Sequence, residues 1–182
     1  MHDMTAAHLR SAYGGECMAN MRYRIWADKA EQEGYPNVAR LFRGISFAEQ
    51  VHATNHFTQL RDQRGGALGA SMAEYGLRST SDNLEGAIGG EIFEVNEMYP
   101  VYLEAAKLQK ETGAFKSFHY ALSTEKIHAA MFQCAKAAVG KGSDMKLGPV
   151  QVCNVCGWTA EGEIPDKCPL CQATRDKFTT FA

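Results

Sequence analysis

The pattern of apolar and polar residues along the chain changes character near residue 142. Residues 5–140 intersperse Ala, Leu and Met with Glu and Arg and contain few prolines, which is a helical composition. Residues 151–182 contain short β-like stretches, two of the five prolines and four of the six cysteines. Residues 140–149 have three glycines, one proline and no periodicity, which is typical of a linker. We therefore predict a bundle domain at 1–141, a linker at 142–150 and a small domain at 151–182.

Glycine and proline positions divide the first domain into four predicted helices. Gly34 ends the first helix, Pro36 begins the second, Gly65 and Gly66 end the second, and Gly113 ends the third. Two short links and one long connection, 65–81, then predict a mainly α, ferritin-like four-helix bundle with one long crossover. The predicted helices are 5–33, 36–64, 82–113 and 115–139.

The third predicted helix has two local features of its own. Asp82 and Glu85 are three residues apart and form a capping-box-like start. Pro100 lies inside the helix, where it lacks the N–H group that the backbone ladder needs. We therefore expect a kink at this proline.

Polar residues of the two predicted hairpins repeat at an offset of 75 or 76 positions. A duplicated helical hairpin predicts a bundle with approximate two-fold symmetry, in which the repeated residues face one another. The repeated pairs are Glu16 with Glu91, Glu49-x-x-His52 with Glu125-x-x-His128, and Tyr23 with Tyr99.

The repeated glutamates and histidines form the candidate site. Residues at i and i+3 share one helix face, so each Glu-x-x-His pair presents a carboxylate and an imidazole to one point. Four carboxylates and two imidazoles inside an apolar bundle are costly as bare charges, and two divalent cations would neutralise them. Di-iron and di-manganese carboxylate bundles use this ligand set. The residues alone leave iron, manganese and zinc open.

Glu94 is a seventh candidate ligand, one turn after Glu91 and on the same helix face. Its counterpart in the repeat is Ala19, so Glu94 breaks the symmetry of the site. One metal ion then has an additional carboxylate available. We expect Glu94 and His52 to compete for that ion as its oxidation state changes.

Other polar and apolar residues near the candidate ligands have less specific roles. Tyr23 and Tyr99 lie two turns beyond Glu16 and Glu91, and they either pack in the core or hydrogen-bond ligand carboxylates. His56 is one turn from His52 and is either a spare ligand or, as we favour, a surface residue. The residues assigned to the core or its boundary are Cys17, Met18, Met21, Phe93, Phe132 and Cys134.

The last part of the chain contains two Cys-x-x-Cys units separated by 11 residues. Two such knuckles form a tetrahedral four-sulfur site that suits zinc or a single iron, and the metal supplies most of the folding energy of so small a domain. Zinc would make the domain a structural or binding ribbon, whereas iron would make it a one-electron carrier. The predicted ligands of this four-cysteine site are Cys153, Cys156, Cys168 and Cys171.

Charge and composition exclude several function classes. The 19 Lys and Arg residues nearly balance the 21 Asp and Glu residues, for a net charge of −2, which argues against a basic nucleic-acid binder and a polybasic membrane anchor. No run of about 18 apolar residues could span a bilayer, and the N-terminus lacks a secretory pattern. We therefore expect a cytoplasmic protein whose paired cysteines bind metal.

Together these motifs resemble the rubrerythrin family, in which a ferritin-like di-iron domain precedes a rubredoxin-like domain. Gln172 departs from the pattern, because rubredoxins usually have Gly after the second knuckle and Gln adopts a left-handed conformation only at a cost. The resemblance covers nearly the whole chain and rests on Gly-Glu16 with Tyr23, Glu49-x-x-His52, Glu91-x-x-Glu94 before Met98-Tyr99-Pro100, Glu125-x-x-His128, Cys153-x-x-Cys156-Gly157 and Cys168-Pro-x-Cys171.

The resemblance implies a non-haem di-iron peroxidase that reduces hydrogen peroxide to water in oxidative-stress defence. It implies an oxo-bridged pair of irons and one iron in the four-cysteine site, with zinc possible in either site of the isolated protein. Tyr23 and Tyr99 would hydrogen-bond ligand carboxylates. Glu49 and Glu125 would bridge the two irons. Glu16 would bind the first iron, together with Glu94 in the oxidised state or His52 in the reduced state. Glu91 and His128 would bind the second iron.

The resemblance also implies partners. Electrons would pass one at a time through the iron of the four-cysteine site from an external donor, either a rubredoxin or an NAD(P)H-dependent reductase. The linker permits delivery within one chain, but we prefer the family's head-to-tail homodimer, in which this iron of one subunit approaches the di-iron site of the other. No nucleic-acid or membrane partner is expected.

Two alternative functions remain. One is a ferroxidase or iron-storage protein, which Glu94 and the cysteine-containing tail argue against. The other is a zinc-ribbon interaction module on a structural bundle.

Overall fold

A computed structural model describes residues 1–182 and contains the four predicted helical segments. The third segment is a composite of two α-helices and a π-helical turn. The mainly α bundle with one long crossover is confirmed, and no helix is both long and apolar enough to cross a membrane. The helices are α1 (Asp3–Gln32), α2 (Pro36–Gln59), α3 (Thr80–Phe93), the π segment (Glu94–Met98), α4 (Tyr99–Leu108) and α5 (Thr112–Val139).

Several helix ends differ from the predicted ones. The third segment begins at Thr80 because Ser79 is its cap: the Ser79 hydroxyl accepts a hydrogen bond from the Asp82 N–H at 3.2 Å and donates to the Asp82 carboxylate at 2.7 Å. α2 ends before the predicted position 64. The stop predicted at Gly113 is wrong, because Lys110 makes the turn in the left-handed region (φ 59°) and Gly113 lies inside α5.

The irregularity in the third helix is a π segment that ends two residues before Pro100, where the kink was expected. Pro100 cannot donate a backbone hydrogen bond, so a regular helix through this position would leave one carbonyl unpaired. The chain widens to π-helical spacing at Glu94–Met98 and resumes as α4 with the proline in its first turn. The irregularity therefore begins at Glu94, one of the candidate ligands.

Two apolar clusters fill the bundle, and the candidate ligands lie between them along the helices. In α1, Glu16 lies between Leu9 of one cluster and Trp26 of the other. In α5, the ligands lie between Phe118 and Phe132 in the same way. The apolar packing on both sides shields a polar centre from water.

Part of the predicted core lies on the surface. Adjacent helical residues point about 100° apart, so Cys17 and Phe93, each next to a candidate ligand in sequence, do not face the bundle centre. Met18 is partly buried, and Phe132 is buried as predicted. The residues that are exposed instead are Met21 (54%), Phe93 (39%), Cys17 and Cys134.

The C-terminal part forms a three-stranded antiparallel sheet in the order β2-β1-β3 that packs on α2. Val150 and Val152 of β1 are buried against Ala48. A Cβ placed on Gly44 would lie 2.7 Å from Val150 Cγ1, so the glycine allows this close approach. The strands are β1 (Val150–Cys153), β2 (Thr159–Glu161) and β3 (Phe178–Phe181).

Residues 140–149 contain no helix or strand and are nevertheless held against the bundle. The Asp144 carboxylate accepts hydrogen bonds from the N–H groups of Asn37 (2.8 Å) and Val38 (3.3 Å) in the first turn of α2. These donors would otherwise lack partners. Met145 is buried in the larger apolar cluster. This segment therefore fixes where the small sheet begins.

Candidate metal centres

The four helical segments bring six candidate ligands together at the centre of the bundle. Their side chains form two groups, and within each group the ligand atoms lie within 4.8 Å of one another. Glu49 and Glu125 belong to both groups, so the arrangement could hold two ions with two shared carboxylates. The groups are Glu16, Glu49, His52 and Glu125, and Glu49, Glu91, Glu125 and His128.

The donor set fits a pair of cations. All six side chains are at most 1% exposed. Three of the four glutamates have a buried oxygen without a hydrogen-bond partner, namely Oε2 of Glu16 and Glu91 and Oε1 of Glu49. Buried carboxylate oxygens without donors are costly unless metal ions or other positive charges satisfy them.

Both histidines point the same nitrogen into the carboxylate cluster. His52 Nδ1 lies 2.9 Å from Glu49 Oε2 and from Glu125 Oε1. His128 Nδ1 lies 2.6 Å from Glu125 Oε2. The opposite nitrogens face threonines: His52 Nε2 is 2.8 Å from Thr124 Oγ1, and His128 Nε2 is 3.0 Å from Thr159 Oγ1. Nδ1 is therefore the nitrogen available to a metal ion, and a hydroxyl holds the other side of each ring.

The pKa shifts reflect this crowding of charge. Burial and the neighbouring carboxylates raise the pKa of Glu16 and of Glu91 well above the usual range. Burial opposes protonation of His128, but the Glu125 and Glu49 carboxylates outweigh it and raise the pKa of His128 to about 9. The crowded negative charge therefore favours the protonated forms of Glu16, Glu91 and His128, and bound cations would compete with these protons.

Two buried tyrosines tie the halves of the repeat together. The Tyr23 hydroxyl on α1 donates to Glu91 Oε1 on α3 at 2.7 Å. The Tyr99 hydroxyl on α4 donates to Glu16 Oε1 on α1. Each tyrosine therefore orients the carboxylate of the opposite half, and both tyrosines are at most 1% exposed.

His56 is fully buried, so the surface location favoured from the sequence is wrong. Its Nε2 lies 3.0 Å from the Tyr99 hydroxyl, and its Nδ1 lies 2.8 Å from Ser117 Oγ. It faces the interior because it is one turn after His52 on the same face of α2. Burial and the nearby His52 lower the pKa of His56 to about 3, so it is neutral.

Glu94 lies outside both groups of ligands. Its carboxylate is partly buried and lines a cavity of about 460 Å³ between α1, α3 and the crossover. Gly15, Arg22 and Ser71 line the same cavity. His52 rather than Glu94 therefore completes the first group in this structure.

The four paired cysteines converge at the end of the sheet. Cys153 Sγ lies 3.6 Å from Cys171 Sγ, and Cys156 Sγ lies 3.6 Å from Cys168 Sγ. None of them forms a disulfide. These separations are close to the edge of a tetrahedron with metal–sulfur bonds of about 2.3 Å. A hydrogen bond from Cys156, with backbone N–H groups, lowers the pKa of Cys153 to about 5, which favours the thiolate.

Gln172, which stands where rubredoxins usually have glycine, adopts the backbone geometry of that glycine. Gln172 is in the left-handed region with φ 64°. Its N–H bonds to the Cys168 carbonyl at 2.9 Å, and its side-chain amide donates to the same carbonyl at 3.1 Å. The second knuckle therefore keeps its turn, and the side-chain bond offsets part of the backbone cost.

Comparison with known proteins identifies the family. The Rubrerythrin family model matches residues 8–136, and the model for the rubredoxin-like domain of rubrerythrin matches residues 151–179. Rubrerythrin-2 of Clostridium acetobutylicum is 48% identical over 178 residues, which cover 98% of this chain and 97% of that protein. The chain belongs to the rubrerythrin family. It contains the carboxylate and histidine di-iron site and the four-cysteine site of this iron-binding family, and its relatives indicate an oxidoreductase.

Other relatives and solved structures agree with this membership. Nigerythrin of Nitratidesulfovibrio vulgaris is 29% identical over 97% of this chain and 86% of that protein. The structure of fully reduced, all-ferrous nigerythrin has a TM-score of 0.85 over 97% of this chain and 86% of its own. A Rhodobacter capsulatus bacterioferritin shares the ferritin-like fold. It is 15% identical, with a TM-score of 0.69, and the match covers 78% of this chain and 88% of that one.

Proposed function

We propose that the chain is a peroxidase that reduces hydrogen peroxide to water in defence against oxidative stress. When bound, the two bundle irons supply the electron pair that cleaves the peroxide bond, and the iron of the four-cysteine site returns electrons one at a time. The observation that carries this proposal is the direct contact between the rubredoxin-like domain and the two histidines of the bundle site.

The contact is made by the residues that follow the first cysteine knuckle. Gly157 comes directly after Cys156, and a Cβ placed on it would lie 2.7 Å from Cδ2 of His52. Two residues later, Thr159 Oγ1 lies 3.0 Å from Nε2 of His128. A one-electron carrier seated on a two-ion site suits repeated reduction of that site. An iron store or a structural zinc ribbon would gain nothing from this arrangement.

In this proposal Glu49 and Glu125, which belong to both ligand groups, would be shared by the two ions. Glu16 and His52 complete one ion site, and Glu91 and His128 complete the other. Tyr23 and Tyr99 hold the carboxylates of Glu91 and Glu16 in place. The third iron is held by Cys153, Cys156, Cys168 and Cys171.

We assign Glu94 a role in the oxidised state of the bundle site. Its carboxylate faces the cavity while His52 Nδ1 faces the shared carboxylates. Oxidation adds positive charge to the site, and an additional carboxylate offsets that charge better than a neutral imidazole does. With the ions bound, Glu94 would be the additional ligand of the oxidised first site, and His52 would be that of the reduced site.

The cavity beside Glu94 gives the site its access to solvent. Glycines at positions 15, 86, 89 and 90 line it and leave room between α1 and α3. Conversion of one peroxide to two waters takes two electrons and two protons. Peroxide and protons reach the site through this cavity, on the side of the bundle where Glu94 lies.

We place this activity in the cytoplasm, because its reducing conditions keep the four cysteines available to metal. An external donor, a rubredoxin or an NAD(P)H-dependent reductase, supplies electrons to the four-cysteine site. The head-to-tail homodimer stays a prediction. Within a single chain the rubredoxin-like domain already lies against its own bundle, so contact between the two sites does not require a partner.

The test combines metal analysis with rapid mixing. Anaerobic loading should give three irons per chain, one for each group of ligands. The reduced protein should then be oxidised faster by hydrogen peroxide than by air-saturated buffer. Fewer than three irons, or faster oxidation by oxygen, would favour the zinc-ribbon or the ferroxidase alternative respectively.

A further inference from the structure

In each of the two ligand groups, a threonine hydroxyl contacts the histidine nitrogen that faces away from the carboxylates. The two threonines come from different domains. Thr124 lies on α5, inside the bundle, and faces His52 Nε2 at 2.8 Å. Thr159 is the first residue of β2, in the rubredoxin-like domain, and faces His128 Nε2 at 3.0 Å. Thr159 is only 1% exposed. The histidine of one ligand group, His128, therefore depends on the small domain for its threonine contact, whereas His52 obtains the same contact from within the bundle.

Hydrogen-bond accounting fixes which nitrogen of each ring is protonated. The Thr159 hydroxyl donates its one hydrogen to the Gly157 carbonyl at 2.9 Å, so it can only accept from the histidine. His128 Nε2 must then be the donor, which leaves Nδ1 free to bind a metal ion in the neutral ring. Thr124 acts likewise on His52, because its hydroxyl donates to the Ala121 carbonyl at 2.8 Å.

We propose that the Thr159 hydroxyl is a positioning group for His128 and thereby couples docking of the rubredoxin-like domain to metal binding in the bundle. When the domain is docked, the His128 ring is held with Nδ1 toward Glu91, Glu49 and Glu125. When it is undocked, Nε2 loses its acceptor and the ring is free to turn. The inference rests on His128 as a ligand, and it is independent of which oxidant the site reduces.

Coupling of this kind is reciprocal. If docking strengthens metal binding at the Glu49, Glu91, Glu125 and His128 group, then metal binding at that group must stabilise the docked domain by the same factor. Loss of the hydroxyl should break the linkage in both directions while leaving the four-cysteine site itself intact.

The first test measures metal affinity by anaerobic titration with Fe²⁺ in the full chain, without peroxide. Thr159→Val should weaken binding of one of the two bundle ions by about tenfold or more, as is usual when the hydrogen-bond partner of a ligand is removed. Thr159→Ser keeps the hydroxyl and should restore the affinity. Thr124→Val should weaken the other ion, and Thr180→Val, on the exposed face of the same sheet, should change neither.

Two results of the titration would overturn the inference. One is that Thr159→Val binds both ions like the unmodified chain. The other is that Thr159→Ser binds as weakly as Thr159→Val, because the role would then be one of packing. Unchanged iron–thiolate absorption in every variant verifies that the rubredoxin-like domain is still folded.

The second test uses the unmodified chain, so it does not depend on how a variant folds. Hydrogen exchange at Thr159–Glu161 and protease cleavage within 140–149 should both slow when the bundle ions are loaded while the four-cysteine site stays occupied. In Thr159→Val this protection should be lost. Equal exchange with and without the bundle ions in the unmodified chain would contradict the coupling. Failure of peroxide turnover alone would count against the proposed function and leave this linkage standing.

Discussion

Gly157 lies against the ring of His52, so closely that an added Cβ would fall 2.7 Å from Cδ2 and nearer still to Nε2. Gly157 also has φ +82°, a backbone region that side chains rarely adopt. The residue that follows Cys156 of the four-cysteine site thus contacts a histidine of the bundle site. Both the turn and the close approach require glycine at this position.

Replacement of Gly157 should separate the two metal domains. In Gly157→Ala the methyl group collides with the His52 ring, so we expect the rubredoxin-like domain to undock and electron transfer to the bundle to slow by about tenfold or more. Rapid-mixing absorption of the two iron sites measures that rate. Gly162→Ala is the matched control, because Gly162 has a similar φ of +77° but nothing within 4 Å of its Cβ position. A transfer rate reduced equally in both variants would show that backbone strain, and not contact with His52, is responsible.

Removal of Glu94 should affect the oxidised site more than the reduced one. If Glu94 joins the first ion only on oxidation, Glu94→Ala should weaken ferric binding by about tenfold or more while ferrous binding changes little. The reduction potential of the bundle site would then rise, and potentiometric titration measures it. Glu97→Ala is the control, since Glu97 lies on the same π segment and is exposed. Equal weakening of both oxidation states would contradict the ligand exchange.

The buried tyrosines should contribute measurably to stability. Tyr23→Phe removes a 2.7 Å hydrogen bond to the buried Glu91 carboxylate, and bonds to charged groups contribute about 1.5–3 kcal/mol. Denaturant unfolding of the metal-loaded protein measures this loss. Tyr102→Phe, which removes a partly buried bond to Ser11 Oγ at 3.1 Å, should cost less. A Tyr23→Phe variant as stable as the unmodified chain would mean that the tyrosine does not support the carboxylate.

His56 should make the fold sensitive to mild acid. Burial lowers the pKa of His56 from 6.5 to about 3, so between these values the unfolded chain binds a proton that the folded chain does not. Its contribution is fully present above pH 6.5 and is lost as the pH falls toward 3. His56→Asn should therefore flatten the dependence of unfolding free energy on pH between about 7 and 5, measured by urea unfolding.

The exposed His119 supplies the control for the pH experiment. His119→Asn should leave the slope over the same pH range equal to that of the unmodified chain. A slope that is just as steep in His56→Asn would show that other groups cause the acid sensitivity.

Most of the candidate site could be predicted from the repeated ligand motifs in the sequence. Glu16, Glu49 and Glu125 meet at the bundle centre because helical periodicity and the duplicated hairpin together fix their positions. The two cysteines of each knuckle are close in sequence, and only 11 residues separate the two knuckles. The spacing of the motifs in the sequence was therefore sufficient to predict both sites.

Features that depend on contacts between distant elements were missed. The burial of His56 depends on Ser117 of another helix, and the place of Thr159 depends on how the sheet docks on the bundle. The exposure of Met21 depends on which side of α1 faces its neighbours. None of these follows from local composition, because tertiary packing decides which face of an element is buried.

The central claim is that the bundle reduces peroxide and that the iron of the four-cysteine site is oxidised through the bundle. Its most direct test is a rapid-mixing comparison of the fully reduced chain with Glu49→Ala, which lacks a shared carboxylate of the bundle site, each mixed anaerobically with hydrogen peroxide. We expect iron–thiolate absorption of the oxidised four-cysteine site to appear rapidly in the unmodified chain and at least about tenfold more slowly in the variant. Equal rates of oxidation of this site in the two proteins would contradict it.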